Sequence, residues 1–244
     1  MKKTLAGLIV ATATCGALVL GAGPALAATA STTDDGPSIG SGSSLIAIQR
    51  AGAAATAKRI VSLNAAIARV NANTKLTDAD RSTILATLTS DLSAMKKLAD
   101  EIKGDTTATS AYADYHSIFV DYRVYAVALP QSLYAAGADA LTGTALPKLN
   151  DAYDKLSAAL TKHADKSTPA LEAELADMKQ KIADATSASS GLAADALAVT
   201  PAQYDADHTV LADLRGKLRD AVADAKDAAQ DGRDIAAALR GSAS

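Results

Sequence analysis

The stretch LADLRGKLRDAVADAKDAAQDGRDIAAAL, residues 211–239, carries the strongest structural pattern in the chain. Its apolar and small residues recur at spacings of three and four along the whole segment: Leu211, Leu214, Leu218, Ala221, Ala225, Ala228, Gly232, Ile235 and Leu239. A seven-residue repeat of this length is typical of a helix that packs lengthwise against a partner helix. Because the middle of the stripe is alanine and glycine, we expect the two helices to approach closely there.

Two predicted helices near the N-terminal end carry similar stripes. The first runs over 45–73 and the second starts after the helix cap Thr77, with Asp80 in a position that resembles a capping box. The first stripe is Ile46, Gln49, Ala53, Thr56, Ile60, Leu63, Ile67 and Val70, and the second is Leu85, Leu88, Leu92, Met95, Ala99 and Ile102. Only a short polar turn separates them, so the pattern predicts an antiparallel helical hairpin over 45–104.

The C-terminal third repeats this arrangement. Thr168 and Pro169 form a helix start, and an unbroken stripe is predicted from there to Val199. Its members are Leu171, Leu175, Met178, Ile182, Ala185, Ser189, Leu192, Ala196 and Val199. A capping box at residues 200–203 then begins the helix that contains residues 211–239. Two helices joined by so tight a turn predict a second hairpin over 168–241. Because each helix then packs against a partner in the same chain, we expect a monomer and not a coiled-coil dimer.

The central region, residues 108–166, holds most of the aromatic side chains. At helical spacing one face is formed by Tyr112, Tyr115, Phe119, Tyr122, Ala126 and Leu129. Residues 118–129 are also rich in β-branched and aromatic residues, as in a strand. We favour a helix because an isolated strand would have no partner. Pro130 is expected to end either element.

A further helix is expected to follow from Gln131. Its stripe is Leu146, Leu149, Tyr153, Leu156, Leu160 and His163. Gly143 and Pro147 are expected to kink or break it.

The N-terminal residues 1–27 have the pattern of a secretory signal peptide. Lys2 and Lys3 precede an apolar run, and Ala25-Leu26-Ala27 fits a cleavage site. Residues 28–44 are polar and small and read as a flexible spacer. The single cysteine is Cys15, so the mature chain would contain none and its core alone must stabilise it. These features predict an exported, secreted protein with no transmembrane anchor after cleavage.

Composition and charge favour an all-α fold. The chain is rich in alanine, lacks tryptophan and has a formal net charge of −3. Alanine has the highest helix propensity, and the acidic balance argues against nucleic acid as a partner. We expect an elongated antiparallel helical bundle or coiled-coil hairpins with a shorter aromatic-rich centre, all within one domain over 45–241.

The best candidate binding residues lie in the central region. They are Tyr112, Tyr115, His116, Phe119, Tyr122, Arg123 and Tyr125. Phenols and an imidazole can line a small-ligand pocket, and Tyr or His can bind haem iron. The alternative, which we favour, is that the rings fill the centre of a core whose other parts consist largely of small alanine side chains. For Arg123, a solvated surface position is favoured over a contact with a carboxylate from another helix.

Other chemistry finds little support in the sequence. His116, His163 and His208 are far apart and lack metal-ligand spacing, so no metal site or resident cofactor is expected. No serine or cysteine motif for nucleophilic catalysis is present, and no glycine-rich phosphate loop. An acidic stripe, Asp220, Asp224, Asp227, Asp231 and Asp234, is expected to face bases of a neighbouring helix or water. The expected bases are Lys58, Arg59, Lys179 and Lys181, and docking to a basic partner is the alternative.

Two short segments resemble a known group of proteins. They are DYRVYAVALP, residues 121–130, and DAKDAAQDGRDI, residues 224–235. Both resemble uncharacterised secreted helical proteins of high-GC Gram-positive bacteria, a group without an assigned activity. The resemblance implies export and an all-helical fold. We therefore expect a non-enzymatic interaction or structural protein of the cell envelope or extracellular medium, whose partner is an envelope or extracellular protein. A small-ligand or haem carrier is the alternative.

Overall fold

The computed structural model describes residues 38–241, and this part of the chain is all α-helical, with no strand. The predicted signal peptide and the start of the predicted spacer lie outside the described residues. Contacts divide residues 38–241 into two compact units. The first unit contains residues 38–139 and 191–217, and the second contains residues 140–190 and 218–241. None of the helices in this range combines the length and the hydropathy needed to span a bilayer.

The first unit is built on two long helices, α1 (Leu45–Ala72) and α2 (Asp78–Gly104). Thr77 caps α2 as predicted, because its side chain accepts a hydrogen bond from the Asp80 N–H. The two helices run antiparallel: Gly52 near the start of α1 lies against Ile102 near the end of α2. At the other end, the Arg81 guanidinium donates to the Val70 carbonyl at 2.5 Å. The Asp139 carboxylate also accepts the Thr77 N–H at 2.8 Å and fixes this turn.

The predicted stripe of α1 is correct from Thr56 onward and fails before it, at Ile46 and Ala53. The buried residues are Ile48, Gly52, Thr56, Arg59, Leu63, Ala66 and Val70. Ile46, the first predicted member, is 62 % exposed, and Ala53 also lies at the surface. The reason is that α1 has alanine or glycine on every side of its N-terminal half. Small side chains there allow Ile48 and Gly52 to face α2 while Ile46 points away.

The aromatic region is helical, as predicted, but it is not one helix. Helix α3 (Ala108–Val120) is followed by a turn, a π-helical segment Val124–Ala128 and then α4 (Leu129–Ala140). The break occurs at Arg123, whose φ of 44° and ψ of 41° are left-handed. The expectation that Pro130 ends this element is wrong. Pro130 is the second residue of α4, directly after the wide π-helical segment, where a residue without an N–H is tolerated.

The second unit begins at the predicted interruption around Gly143 and Pro147. A π-helical segment, Leu141–Ala145, contains Gly143, and α5 (Leu146–Lys162) starts with Pro147 as its second residue. Helix α6 (Pro169–Ser189) follows, capped by the Thr168 side chain as predicted. The buried residues of α5 are Leu146, Leu149, Leu156 and Leu160.

The C-terminal third departs from two uninterrupted helices. After α6, Gly191 adopts a left-handed conformation with φ of 71°, and the chain continues as α7 (Leu192–Ala198). The predicted uninterrupted helix to Val199 is therefore wrong, because a glycine at positive φ ends the helix. The stripe residues themselves are buried from Met178 to Val199 and half-buried before it. The capping box of Thr200 and Gln203 is present, but it starts only the short α8 (Pro201–Ala206).

The long last helix, α9 (Val210–Gly241), therefore starts later than expected. Its predicted stripe is confirmed: every member is buried except Gly232, which is half-buried. A Cβ at Gly232 would lie 3.2 Å from the Met178 Cε and 3.6 Å from the Leu156 Cδ1. The space in front of Gly232 is thus filled by the ends of the Met178 and Leu156 side chains.

Candidate functional site

The aromatic cluster of the first unit is organised around Tyr115. This side chain is 1 % exposed, and its ring meets the Phe119 ring edge to face at 5.2 Å between centroids. Its hydroxyl accepts the Ser38 N–H at 2.9 Å and is hydrogen-bonded to the Ser38 Oγ at 2.9 Å. The last residues of the predicted flexible spacer are thus held against the core, since Ile39 also packs on it. Tyr115 has the geometry of a core residue.

The guanidinium of Arg59 lies between two rings of the cluster. Its central carbon is 4.5 Å from the centroid of Phe119 and 4.9 Å from that of Tyr125. The side chain is only 3 % exposed, and Nη1 donates to the Ala55 carbonyl at 3.4 Å. A planar guanidinium stacks well on aromatic faces, so Arg59 belongs to the core of the first unit. The expectation that Arg59 faces the acidic stripe is wrong.

Tyr125 is also held at its polar end. Its hydroxyl and the Ser62 Oγ are 3.2 Å apart, so α1 contacts this ring through both Arg59 and Ser62. Sequence reasoning grouped Tyr125 with the cluster but did not identify Arg59 or Ser62 as its neighbours. The spacing of 59 and 62 on one side of α1 was the only available signal.

Arg123 contacts a carboxylate from another helix and is not a solvated surface residue. Its Nε donates to the Asp205 Oδ1 at 2.9 Å, and its Nη2 lies 2.7 Å from the same oxygen. The guanidinium also lies 5.8 Å from the Tyr204 ring, which in turn meets His208 at 4.8 Å. The less favoured prediction for Arg123, a contact with a carboxylate from another helix, is therefore correct. The contact connects the break after α3 to the short helix α8.

The remaining candidate residues do not converge with Tyr115. Tyr112 and Tyr122 are half-buried, and His116 is exposed. The Tyr112 and His116 rings are tilted neighbours, 5.9 Å apart. The seven predicted residues thus fall into four groups: the buried Tyr115 and Phe119, three half-buried tyrosines packed against the same core, Arg123 in its ion pair, and the exposed His116. This arrangement stabilises the first unit and offers no single pocket with converging phenols.

Two open grooves lie elsewhere in the first unit, and none of the seven residues lines them. One, about 310 Å³, lies between α1 and α2; its lining residues are Gln49, Ala53, Thr56, Ala57, Ile60, Ala99, Asp100 and Lys103. The other, about 370 Å³, is lined by Asp195, Ala198, Val199, Gln203, Ala206, Asp207 and Val210. Both are lined mainly by small or aliphatic side chains. Neither groove was predicted from the sequence.

The groove between α1 and α2 continues onto an exposed surface that we call the outer face of α1. It consists of Ile46, Arg50, Ala53, Ala57, Val61, Asn64 and Ala68, all exposed. Ile46 is 62 % and Val61 69 % exposed, and they are the exposed large hydrophobic residues of the described range. Both belong to a single face of a single helix. Ile46 and Ala53 belong to the predicted α1 stripe, and within residues 38–241 they are exposed together with the rest of this face.

The acidic stripe of α9 is partly paired within the second unit. Lys181 Nζ lies 2.9 Å from Asp231 and 2.7 Å from Asp177, and hydrogen bonds to both carboxylates raise the pKa of Lys181. Of the four expected bases, Lys181 does face the stripe. Lys179 instead lies 5.7 Å from the Tyr153 ring, and Lys58 is exposed.

Two other members of the stripe have partners on α9 itself. Arg219 Nη2 lies 2.9 Å from Asp220 Oδ1, and the Gln230 amide donates to the Asp234 carboxylate at 2.9 Å. Desolvation and the nearby Asp184 raise the pKa of Asp224. Within residues 38–241, no group of three or more His, Cys, Asp or Glu side chains has the arrangement needed to hold a metal ion.

Comparison with known proteins gave no match. No protein-family model, no curated protein and no solved structure matches it.

Proposed function

We propose that this chain is an exported, non-enzymatic interaction protein that binds another protein through the outer face of α1. The observation that carries the proposal is the position of Ile46 and Val61. Single exposed aliphatic side chains are ordinary on protein surfaces, but a contiguous exposed apolar strip is typical of an interaction surface. Here both lie on one face, 15 residues apart, with alanines between them.

The chemistry of the surface suits a protein helix. Alanine side chains at Ala53, Ala57 and Ala68 are short, so a second helix can lie close to the α1 backbone. The adjoining groove of about 310 Å³ provides room for side chains that project from such a helix. Export through the predicted signal peptide would place this surface at the cell envelope or in the medium.

The alternative function, a small-ligand or haem carrier, is less favoured by the geometry. Its central residue Tyr115 has its hydroxyl bonded to Ser38 and its ring against Phe119. A ligand at that position would have to displace both contacts.

Site-specific photo-crosslinking in the producing cells tests the interaction. A benzoylphenylalanine at position 61 should yield a crosslinked protein, and the same group at the exposed position Ala86 of α2 is the matched control. A specific product from position 61 that is lost in an Ile46→Ser background supports the proposal. Identical products from both positions, or none, would overturn it.

Export is tested separately. N-terminal sequencing of protein recovered from the medium or envelope should give a chain that begins at Ala28. A chain that retains Met1 and remains in the cytoplasm would contradict the localisation.

A further inference from the structure

We infer that the partner of the outer face of α1 is an acidic amphipathic helix of another protein. This inference rests on the proposed function and adds the chemistry of the occupant. It depends on three observations: the charge of α1, the regular spacing of the outer face and the shape of the adjoining groove.

The charge of α1 is unusual in this chain. The whole chain has 27 acidic and 24 basic residues, yet the 28 residues of α1 contain no carboxylate. Its bases are Arg50, Lys58, Arg59 and Arg69, of which only Arg59 is buried. Among the described residues, the three exposed bases form no ion pair with a carboxylate. An acidic partner would complement them, whereas a basic partner would be repelled.

The charges that line the groove next to this face balance. Lys103 and Asp100 line it, and Gln49 crosses its end, donating through Nε2 to the carbonyls of Lys103 and Asp105. The basic charge of this surface therefore comes from α1 itself, through Arg50 on the outer face and Lys58 on the flank turned away from the groove. Side chains that enter this groove from a partner are therefore expected to be small or apolar, with carboxylates on either side.

The outer face has the spacing of a helix-packing surface. Its seven residues follow one another at intervals of four, three, four, four, three and four, which repeats every 11 residues. Such a repeat stays on one side of a nearly straight helix. From Ile46 to Ala68 the face extends roughly 33 Å, enough for about six turns of a second helix.

A second copy of this chain fits the surface less well when α1 packs on α1. That arrangement would bring Arg50, Lys58 and Arg69 of one copy towards the same bases of the other. A lipid surface also fits less well, because alanine buries little apolar area and membrane-surface helices depend on large apolar side chains.

Peptide binding to the full chain tests the inference. The probe is a fluorescein-labelled 22-residue peptide with alanine and leucine at the a and d positions and glutamate at the flanking e and g positions. The control peptide has lysine at every glutamate position. We expect the glutamate peptide to bind at least tenfold more tightly at low salt, and its affinity to fall at least fivefold between 50 and 500 mM NaCl.

Two variants separate charge from packing. Arg50→Ala with Lys58→Ala should abolish the preference for the glutamate peptide, and Val61→Ser should weaken the binding of both peptides. Lys217→Ala with Ala212→Ser, at exposed positions of α9, is the matched control and should change neither. Equal binding of the two peptides, or no effect of the Arg50 and Lys58 changes, would overturn the inference.

The remaining outcomes distinguish this inference from the proposed function. If the crosslink at position 61 identifies a partner whose contact segment is basic or neutral, the proposed function survives and this inference fails. A crosslink to a second copy of the chain, with twice the chain mass in sedimentation, would also overturn it. A lipid-binding result would overturn it as well. In that result the chain co-sediments with phosphatidylglycerol vesicles, the Arg50 and Lys58 double variant does not, and the chain binds the two peptides equally.

Discussion

The guanidinium carbon of Arg59 lies 4.5 Å from the centroid of Phe119, although Arg59 is 3 % exposed and is one of only four bases in α1. The same carbon lies 4.9 Å from the centroid of Tyr125, so the guanidinium joins α1 to the segment after the α3 break. A buried cation of this kind is held by ring faces and by a backbone carbonyl. The aromatic cluster thus acts as a packing centre of the first unit.

Replacing Arg59 tests this role. Arg59→Ala should lower the free energy of unfolding by about 2–4 kcal/mol, because it removes a large buried side chain from between two rings. Arg59→Met should cost much less, since an apolar chain of similar volume fills the space without a buried charge. Urea unfolding of the full chain measures both. Arg50→Ala, at an exposed position of the same helix, is the control and should change stability by less than about 0.5 kcal/mol.

If Arg59→Ala and Arg50→Ala lowered the free energy of unfolding equally, the packing role of Arg59 would be contradicted. An Arg59→Lys variant adds a further comparison, because it keeps the charge but loses the planar group. We expect Arg59→Lys to be less stable than the wild type despite its charge.

The sequence was informative where large apolar residues are surrounded by charged ones. In α9 the leucines and isoleucine alternate with Asp, Lys and Arg, so only one face can be buried, and the predicted stripe is the observed one. The N-terminal half of α1 has alanine or glycine on every side and only two charged residues, Arg50 and Lys58. Hydrophobicity then does not distinguish Ile46 from Ile48, and the predicted face was wrong.

The candidate site was less predictable because its partners are distant in sequence. The ring of Tyr125 and the guanidinium of Arg59 are 66 residues apart, and Arg123 and Asp205 are 82 apart. No local spacing encodes such contacts. The break at Gly191 did have a local signal, a glycine after two serines, but an uninterrupted heptad pattern on both sides concealed it.

The Tyr115 hydroxyl provides a second test. Tyr115→Phe removes the acceptor for the Ser38 N–H and should destabilise the chain by about 1 kcal/mol. It should also free residues 38–44, so limited proteolysis before Leu45 should become faster. Tyr112→Phe, at a half-buried position, is the control and should leave the cleavage rate unchanged. Unchanged cleavage in Tyr115→Phe would show that Ile39, and not the hydroxyl, holds this segment.

Three glycines in helices make a graded comparison. Gly52→Ala would place a Cβ 2.8 Å from the Ile102 Cγ2 and 2.9 Å from its Cδ1, so it should destabilise by about 1–3 kcal/mol despite the better helix propensity. Gly216→Ala meets no atom within 4 Å and should stabilise by about 0.5–1 kcal/mol.

The stability of Gly232→Ala should lie between the stabilities of these two variants, because the nearest neighbour of the new Cβ is the flexible end of Met178 at 3.2 Å. Thermal unfolding of the three variants gives the order directly. If Gly52→Ala were as stable as Gly216→Ala, the close packing of α1 against Ile102 would be wrong.

Asp91 gives the chain a pH-dependent stability. Burial on α2 raises the pKa of its carboxyl to about 6, above the ordinary value of 3.8. The folded state therefore binds this proton more tightly than the unfolded state. The destabilising contribution is absent below pH 4, grows as the pH rises through 6 and is complete above it. Asp91→Asn should thus stabilise the chain at pH 7.5, by about 1 kcal/mol after solvent screening, and have no such effect at pH 3.5.

Urea unfolding of wild type and Asp91→Asn across pH 3.5–8 measures this difference, with Asp154→Asn at an exposed position as the control. The two unfolding free energies should separate between pH 4 and 6 and then remain parallel. Because Asp154 is at the surface, its variant should follow the wild type throughout. A difference between Asp91→Asn and wild type that is the same at pH 3.5 and pH 7.5 would mean that the amide changes packing and that the carboxylate of Asp91 is not desolvated in the folded chain.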